Sequence, residues 1–284
     1  MLKERFLKLK TVNSFWKLCH RLIFLTFTPQ KRGNFICHMG PPKTATTSLQ
    51  MALQALDDHH ISYLGTFQPR FRNNDRGIYA MLASAAFCVR VRRKLVKKIR
   101  REIDASLNRK IDLIMSEEMI LLDQKNMPFQ KKLEALGRII GQYSPLILIT
   151  IREPIAAIKS LYIELYYRNP QDRTPDFSDF LMSNQVKIYD YLYLVGVLHA
   201  SGFDNIRFIS INNGHMNYCL SEITGFERHN QIITIGKHNV SELDFKKVSE
   251  SLIIPDEMSL SLNASYSSVM SRLTKRIEGF EVSA

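Results

Sequence analysis

The N-terminal region has no apolar run long enough to span a membrane. Lys17 and Arg21 break up its aliphatic and aromatic residues well short of the roughly 20 that a transmembrane helix needs. It also lacks the small-residue cleavage site of a secretory signal. Cysteine is scarce, and Cys19, Cys37, Cys88 and Cys219 form neither a CxxC pair nor a zinc spacing. That excludes a disulfide framework and a zinc module, and it points to reduced thiols in a cytoplasm, so the Asn239 and Asn263 sequons carry little meaning. Twelve glycines and ten prolines in 284 residues that are 45% hydrophobic exclude a disordered chain and leave enough apolar surface for a substantial core. There is no internal repeat and no low-complexity linker. His59 and His60 have no third ligand in view, so no metal site is expected.

Short apolar runs alternate with helical periodicity along most of the chain. Strands are expected near 34–39, 61–64, 111–116, 145–151 and 205–211, and helices near 46–57, 77–105, 128–142, 154–168, 176–200 and 213–225. Alternation of this kind builds βαβ units, so the fold class is α/β with a mainly parallel central sheet flanked by helices. The organisation reads as a basic amphipathic segment over 1–33 followed by a single domain over 34–284.

The most informative stretch is FICHMGPPKTATTSLQ, Phe35 to Gln50. An apolar strand empties into Gly-Pro-Pro, and a lysine with a cluster of hydroxyls then opens a helix. Free amides at a helix start, the positive end of the helix dipole, the Lys43 ammonium and the hydroxyls of Thr44, Thr46, Thr47 and Ser48 suit a phosphate or sulfate. The nucleoside-triphosphate loop G-x-x-x-x-G-K-[ST] is excluded, because Lys43 follows Gly40 by three residues and Ala45 and Thr46 stand where the second glycine and the lysine belong. The run resembles the 5′-phosphosulfate loop of sulfotransferases that use 3′-phosphoadenosine-5′-phosphosulfate (PAPS), P-K-[ST]-G-T-[TS]-[SWT]. Ala45 departs from that pattern at its glycine, so the backbone there either avoids positive φ or bears a small cost.

PAPS carries a 3′-phosphate, and a second element of the same family resembles its cradle. In SPLILITIREPIAAIKSLYIELYYR a strand ends at Arg152, Pro154 opens a helix, and Ser160 follows eight residues after the arginine. Arginine offers a planar fork for a phosphate and serine a short donor. Between the two elements, IDLIM ends in Ser116, Glu117 and Glu118, at the carboxyl end of a strand where ligands sit in open α/β sheets. The bacterial sulfotransferase pattern S-x-E selects Glu118 ahead of Glu117 as catalytic base; the bland alternative is a solvated helix start, where glutamate is also welcome. The resemblance spans roughly 34–242 and implies a P-loop-like sulfotransferase fold, PAPS as donor with adenosine 3′,5′-bisphosphate (PAP) as product, no metal, and Lys43 as a catalytic cation. It also nominates Lys237 and Asn239 in IGKHNVS, while Ile211 and Asn212 replace a Tyr-Glu pair frequent in relatives. The implied acceptor is a carbohydrate or glycolipid hydroxyl. Tyr162, Tyr166 and Tyr167 either face it or pack against a core. The rival readings are a non-catalytic PAP-binding regulatory relative, a nucleotide or small-molecule kinase, and a basic membrane adaptor with a vestigial site.

Acids are in deficit, 27 against 39 lysines and arginines, giving a net charge of +12 and a pI near 9.5. Eight of the twelve residues in RVRRKLVKKIRR, Arg90 to Arg101, are basic, with Val91, Leu95 and Ile99 on one side. This reads as an amphipathic helix whose outer face attracts an anionic acceptor, an acidic lipid or a membrane surface. No nucleic-acid module and no stacking platform accompany it. In the N-terminal segment, cations with Phe6, Phe15, Trp16, Leu22, Ile23, Phe24, Leu25 and Phe27 suit a peripheral membrane interface and equally a helix packed on the domain. The expected location is the cytoplasm, with that membrane contact left open.

Overall fold

A computed structural model describes residues 32–55, 59–67, 77–88, 91–124, 127–167, 175–210 and 244–281, without the side chains at 167, 244–247 and 272–281. The elements are β1 (Phe35–Met39), α1 (Thr46–Gln54), β2 (Ile61–Gly65), α2 (Ile78–Ala86), α3 (Arg93–Asn108), β3 (Asp112–Ser116), α4 (Phe129–Ile140), β4 (Leu146–Ile151), α5 (Pro154–Tyr162), α6 (Phe177–Leu181), α7 (Asn184–Lys187), α8 (Tyr191–Ala200), β5 (Ile206–Ser210), α9 (Asp244–Ser251) and α10 (Asp256–Glu281). The five strands form one all-parallel sheet in the order β2-β3-β1-β4-β5. β1, β3 and β4 are almost wholly buried, as expected for parallel strands covered on both faces. Because β3 lies on one side of β1 and β4 on the other, the strand order switches at β1, which opens a crevice at its carboxyl end.

Residues two apart on a strand share a face, and the two faces differ here. Cys37, Met39, Leu113, Met115, Ile147 and Ile149 pack with α2, α3, α4 and α8 in the larger core, whereas Ile36, Ile114 and Leu148 pack under Leu49 and Leu53 of α1. Followed toward the strand ends, this second face changes from apolar to polar, at His38, Ser116 and Thr150, all buried. No helix of the described residues is long and apolar enough to cross a membrane.

The five strands fall where the sequence places them; two of the helices do not. The stretch 77–105 is two helices, because Arg92 is extended and the turn lets Leu82 and Ala85 of α2 and Ile99 and Ile103 of α3 bury against one core. Likewise 176–200 is three short helices. In one continuous helix Tyr189 and Tyr191 would point about 200° apart, yet both are fully buried. The break at Asp190, whose carboxylate caps α8 by accepting from Tyr193 N at 3.1 Å, resolves this. Ser265 of α10 completes the junction, donating to Asp190 at 2.7 Å and accepting from Leu192 N at 3.0 Å. Beyond Tyr162 the expected helix to 168 continues as a π turn over Ile163–Tyr167. The helix expected at 213–225 lies outside the described residues, and α9 and α10 were not anticipated.

α4 approaches the end of α8 closely at Gly137, where an added Cβ would stand 1.8 Å from Ser201 O. Backbone cannot swing aside like a side chain, so Gly137→Ala is expected to cost about 1–3 kcal/mol and lower the melting temperature by several degrees. An unchanged thermal melt would contradict this packing.

Candidate functional site

The loop after β1 is held from below and from the side at three consecutive carbonyls. Thr44 Oγ1 donates to Pro41 O at 2.6 Å, Tyr189 OH donates to Pro42 O at 2.9 Å, and Arg152 Nη1 reaches Lys43 O at 3.4 Å. Since N–H and C=O of one peptide plane point opposite ways, tethering the carbonyls of Pro42 and Lys43 turns the amides of Lys43 and Thr44 away from the tethers. Lys43 and Ala45 are both left-handed, with φ of 66° and 60°, and Thr44 between them is not. Alternation of this kind makes a concave row of amides suited to an anion. Ala45 therefore adopts the positive φ that a glycine would take freely, at a cost of roughly 1–2 kcal/mol. It is the N-cap of α1, which has no side-chain cap and no acidic residue in its first turn. α5 contrasts with it: Glu153 accepts from Ile155 N at 2.9 Å and Ala156 N at 2.6 Å, closing that helix start with its own carboxylate. Gly40 is required by close approach, because a Cβ there would stand 2.0 Å from Thr150 Oγ1.

Beneath the loop runs a buried polar chain that sequence reasoning missed. His38 Nδ1 lies 2.7 Å from Ser116 Oγ, His38 Nε2 lies 3.5 Å from Thr150 Oγ1, and Thr150 Oγ1 lies 2.8 Å from Thr44 Oγ1. Its direction follows from its last member. Thr44 spends its proton on Pro41 O, so Thr150 donates to Thr44, its oxygen faces the Nε2–H of His38, and Nδ1 accepts from Ser116. Burial holds the imidazole down, from the usual 6.5 to about 3, which keeps His38 neutral. The lone polar residues at His38 and Thr150, inside otherwise apolar strands, were the available signal.

Of the residues nominated from the sequence, the crevice gathers Lys43, Thr46, Glu118 and Arg152. Thr46 Oγ1 hydrogen-bonds Glu118 Oε2, which sets this carboxylate beside the first turn of α1. Glu117 differs: it is buried and accepts from Met119 N at 2.9 Å, from Thr66 Oγ1 at 2.6 Å and from Tyr79 OH. Its oxygens tie β2, α2 and the 3-10 turn Glu118–Leu121 together. Lys132, also buried, donates Nζ to Met119 O at 2.9 Å and to Leu122 O, fixing that turn from its other end, and burial lowers its ammonium to about 8. Lys43 forms an ion pair with Glu164, carried on the π turn. Arg152 is positioned through its backbone, where Tyr191 OH accepts from Arg152 N at 3.1 Å and donates to Arg152 O at 2.7 Å. Thr44 is fully buried with its hydroxyl turned inward, Ser48 and Ser160 are buried, and Ala45 and Thr47 are half-buried. Lys237 and Asn239, like Ile211 and Asn212, lie outside the described residues. Tyr162 packs against Phe177 and Phe180 at centroid distances of 5.0 and 5.3 Å, and Tyr166 lies 5.9 Å from Phe180. Among the described residues no cluster of His, Cys, Asp and Glu could hold a metal ion. No protein-family model and no curated protein matches the chain.

The buried neutral His38 makes folding sensitive to acid. Below pH 6.5 the unfolded chain takes a proton on this histidine and the folded chain does not. This one group therefore costs about 1.4 kcal/mol of stability per pH unit as pH falls from 6.5 toward 3. Urea unfolding of His38→Gln is expected to show lower stability at pH 7 and a shallower acid limb, by one proton, than the parent. Equal slopes would contradict the assignment.

Proposed function

We propose that the chain is a PAPS-dependent sulfotransferase. The observation that carries this reading is the meeting, at one crevice, of an open amide loop and two cations. Arg152 of the β4 end lies against the Lys43 carbonyl at 3.4 Å, and Glu118 reaches the same helix start through Thr46. The residues fit the donor. The amides of Lys43 and Thr44 face away from their tethers, α1 brings no acid of its own, and the Lys43 ammonium already draws a carboxylate, Glu164. When bound, PAPS supplies an activated sulfuryl group. The loop amides and the Thr47 hydroxyl would hold its non-bridging oxygens, and Arg152 with Ser160 the 3′-phosphate, while Thr46 stays on Glu118. Glu118 takes the proton of an acceptor hydroxyl as that oxygen bonds to sulfur, a contribution of about 10²–10⁴ in rate. Lys43 stabilises the charge that grows on the bridging oxygen as the sulfur–oxygen bond to PAP breaks, in the manner of a preplaced electrostatic group. Glu117 is spent on Met119, Thr66 and Tyr79, which favours Glu118 as the base. A carbohydrate or glycolipid hydroxyl is the proposed acceptor class.

Isothermal titration with PAP separates binding from turnover. Lys43→Ala and Arg152→Ala are expected to weaken PAP by tenfold or more, about 1.4 kcal/mol each. Glu118→Gln should keep PAP affinity within about twofold and lose transfer from labelled PAPS by about 10² or more. Tight PAP binding with no transfer to any acceptor class would favour the regulatory relative. Magnesium-dependent ATP consumption would favour a kinase.

Glu164 competes with the ligand for Lys43. Its side chain is 51% exposed, so the pair is weak, and Glu164→Gln is expected to tighten PAP by about two- to fivefold. Unchanged or weaker binding would show that Glu164 does not oppose the anion.

A further inference from the structure

Two tyrosines, two residues apart in the chain, hold the two halves of the crevice. Tyr189 donates its hydroxyl to Pro42 O at 2.9 Å, in the loop after β1. Tyr191 takes the backbone of Arg152 at the end of β4, accepting from its N–H at 3.1 Å and donating to its C=O at 2.7 Å. Both rings are fully buried, and burial pushes both phenols well above their usual range, so each keeps the proton it donates. Cα atoms of residues two apart stand at most about 7 Å from each other. The loop and the β4 end are therefore set against one short stretch of chain. Arg152 Nη1 also meets Lys43 O directly, but at 3.4 Å, which is long for a hydrogen bond. The two buried hydroxyls make the firmer link.

That stretch is fixed from outside the crevice. Tyr189 N and Asp190 N donate to Val186 O at 3.0 Å and Lys187 O at 3.2 Å, closing the end of α7. Asp190 Oδ1 accepts from Ser265 Oγ of α10 at 2.7 Å, and the same buried hydroxyl accepts from Leu192 N at 3.0 Å. Tyr266, the next residue of α10, brings its ring to 6.0 Å from that of Tyr191, between centroids. A ligand that engages both ends of the crevice at once gains from a separation fixed in advance, whereas a ligand that engages one end does not.

We propose that residues 189–191 are a spacer that sets the distance between the loop after β1 and Arg152, and so make the site selective for an adenosine carrying phosphates at both its 3′ and 5′ positions. The proposal rests on the donor reading given above and names what in the chain enforces it. Tyr189 and Tyr191 are positioning residues, acting through Pro42 and Arg152.

Isothermal titration of the full chain with PAP and with adenosine 5′-monophosphate (5′-AMP), which lacks the second phosphate, reads the spacing. The unaltered chain is expected to prefer PAP by at least about a hundredfold. Tyr191→Phe keeps the ring and loses the hydroxyl; it should weaken PAP about tenfold and 5′-AMP by less than about twofold. Adding Tyr191→Phe to Arg152→Ala should weaken PAP by less than about twofold more, because the group it positions is already gone. Equal losses for the two ligands, or a full further loss on the Arg152→Ala background, would reduce Tyr191 to a packing residue and overturn the proposal while leaving PAP binding by the parent intact. PAP and 5′-AMP bound alike by the unaltered chain would overturn it too. No PAP binding at all by the unaltered chain would instead remove the donor reading, and the spacer with it. Should Tyr191→Phe fail to fold, Ser265→Ala decides: it leaves both tyrosines in place, frees Asp190 from α10, and is expected to lower the preference for PAP about threefold. An unchanged preference in that variant overturns the proposal.

Discussion

Three tethered carbonyls and one buried polar chain set the shape of the loop after β1, and the crevice depends on them. Tyr189, Arg152 and Thr44 each take one carbonyl of Pro42, Lys43 and Pro41 in turn. A loop with its carbonyls satisfied this way presents amides to whatever lies opposite. The order Ser116, His38, Thr150, Thr44 then fixes the loop to β3, β1 and β4 together. These are the three strands that meet at the switch point. A neutral imidazole serves there because it donates at one nitrogen and accepts at the other, and burial keeps it neutral. The left-handed backbone at Ala45 is sustained by this framework, since local strain persists only where the surroundings over-determine it.

Electrostatics divides the two adjacent glutamates into different roles. Glu117 is surrounded by donors and closes the junction of β2, α2 and the 3-10 turn. Glu118, one residue on, faces the first turn of α1 through Thr46. Lys132 secures the same turn by its carbonyls rather than by its carboxylate, so the turn is held at both ends while Glu118 points into the crevice. The cations of the site are likewise placed by neighbours that are themselves buried: Tyr191 grips the backbone of Arg152 at both N–H and C=O. Rigid supports of this kind let a few polar groups act at fixed positions.

The strands were legible because buried parallel strands are short apolar runs bounded by turn residues, as in LILITI before Arg152. The loop after β1 and the Arg152 segment after β4 were legible as residue types at fixed spacing following apolar strands. What the sequence hid was directional. Thr44 has the right chemistry for a ligand but turns its hydroxyl inward to Pro41 and Thr150, and nothing in its spacing announces that. Glu164 meets Lys43 from 121 residues away, a contact only the tertiary fold creates. The helix breaks at Arg92 and Asp190 were masked because helical periodicity continues through both. They are imposed by burial of Tyr189 and Tyr191 and by the packing of α2 on α3, which override local propensity. Ala45 was flagged by its departure from glycine, and its φ of 60° shows that the backbone keeps the conformation despite the added methyl.

A crystal structure of the chain with PAP bound tests the central claim most directly. The expected result is the 5′-phosphate on the amides of Lys43 to Thr47, with the Lys43 ammonium moved from Glu164 onto it, and the 3′-phosphate on Arg152 and Ser160. PAP seated away from this crevice, or held with neither phosphate in contact with Lys43 or Arg152, would contradict it.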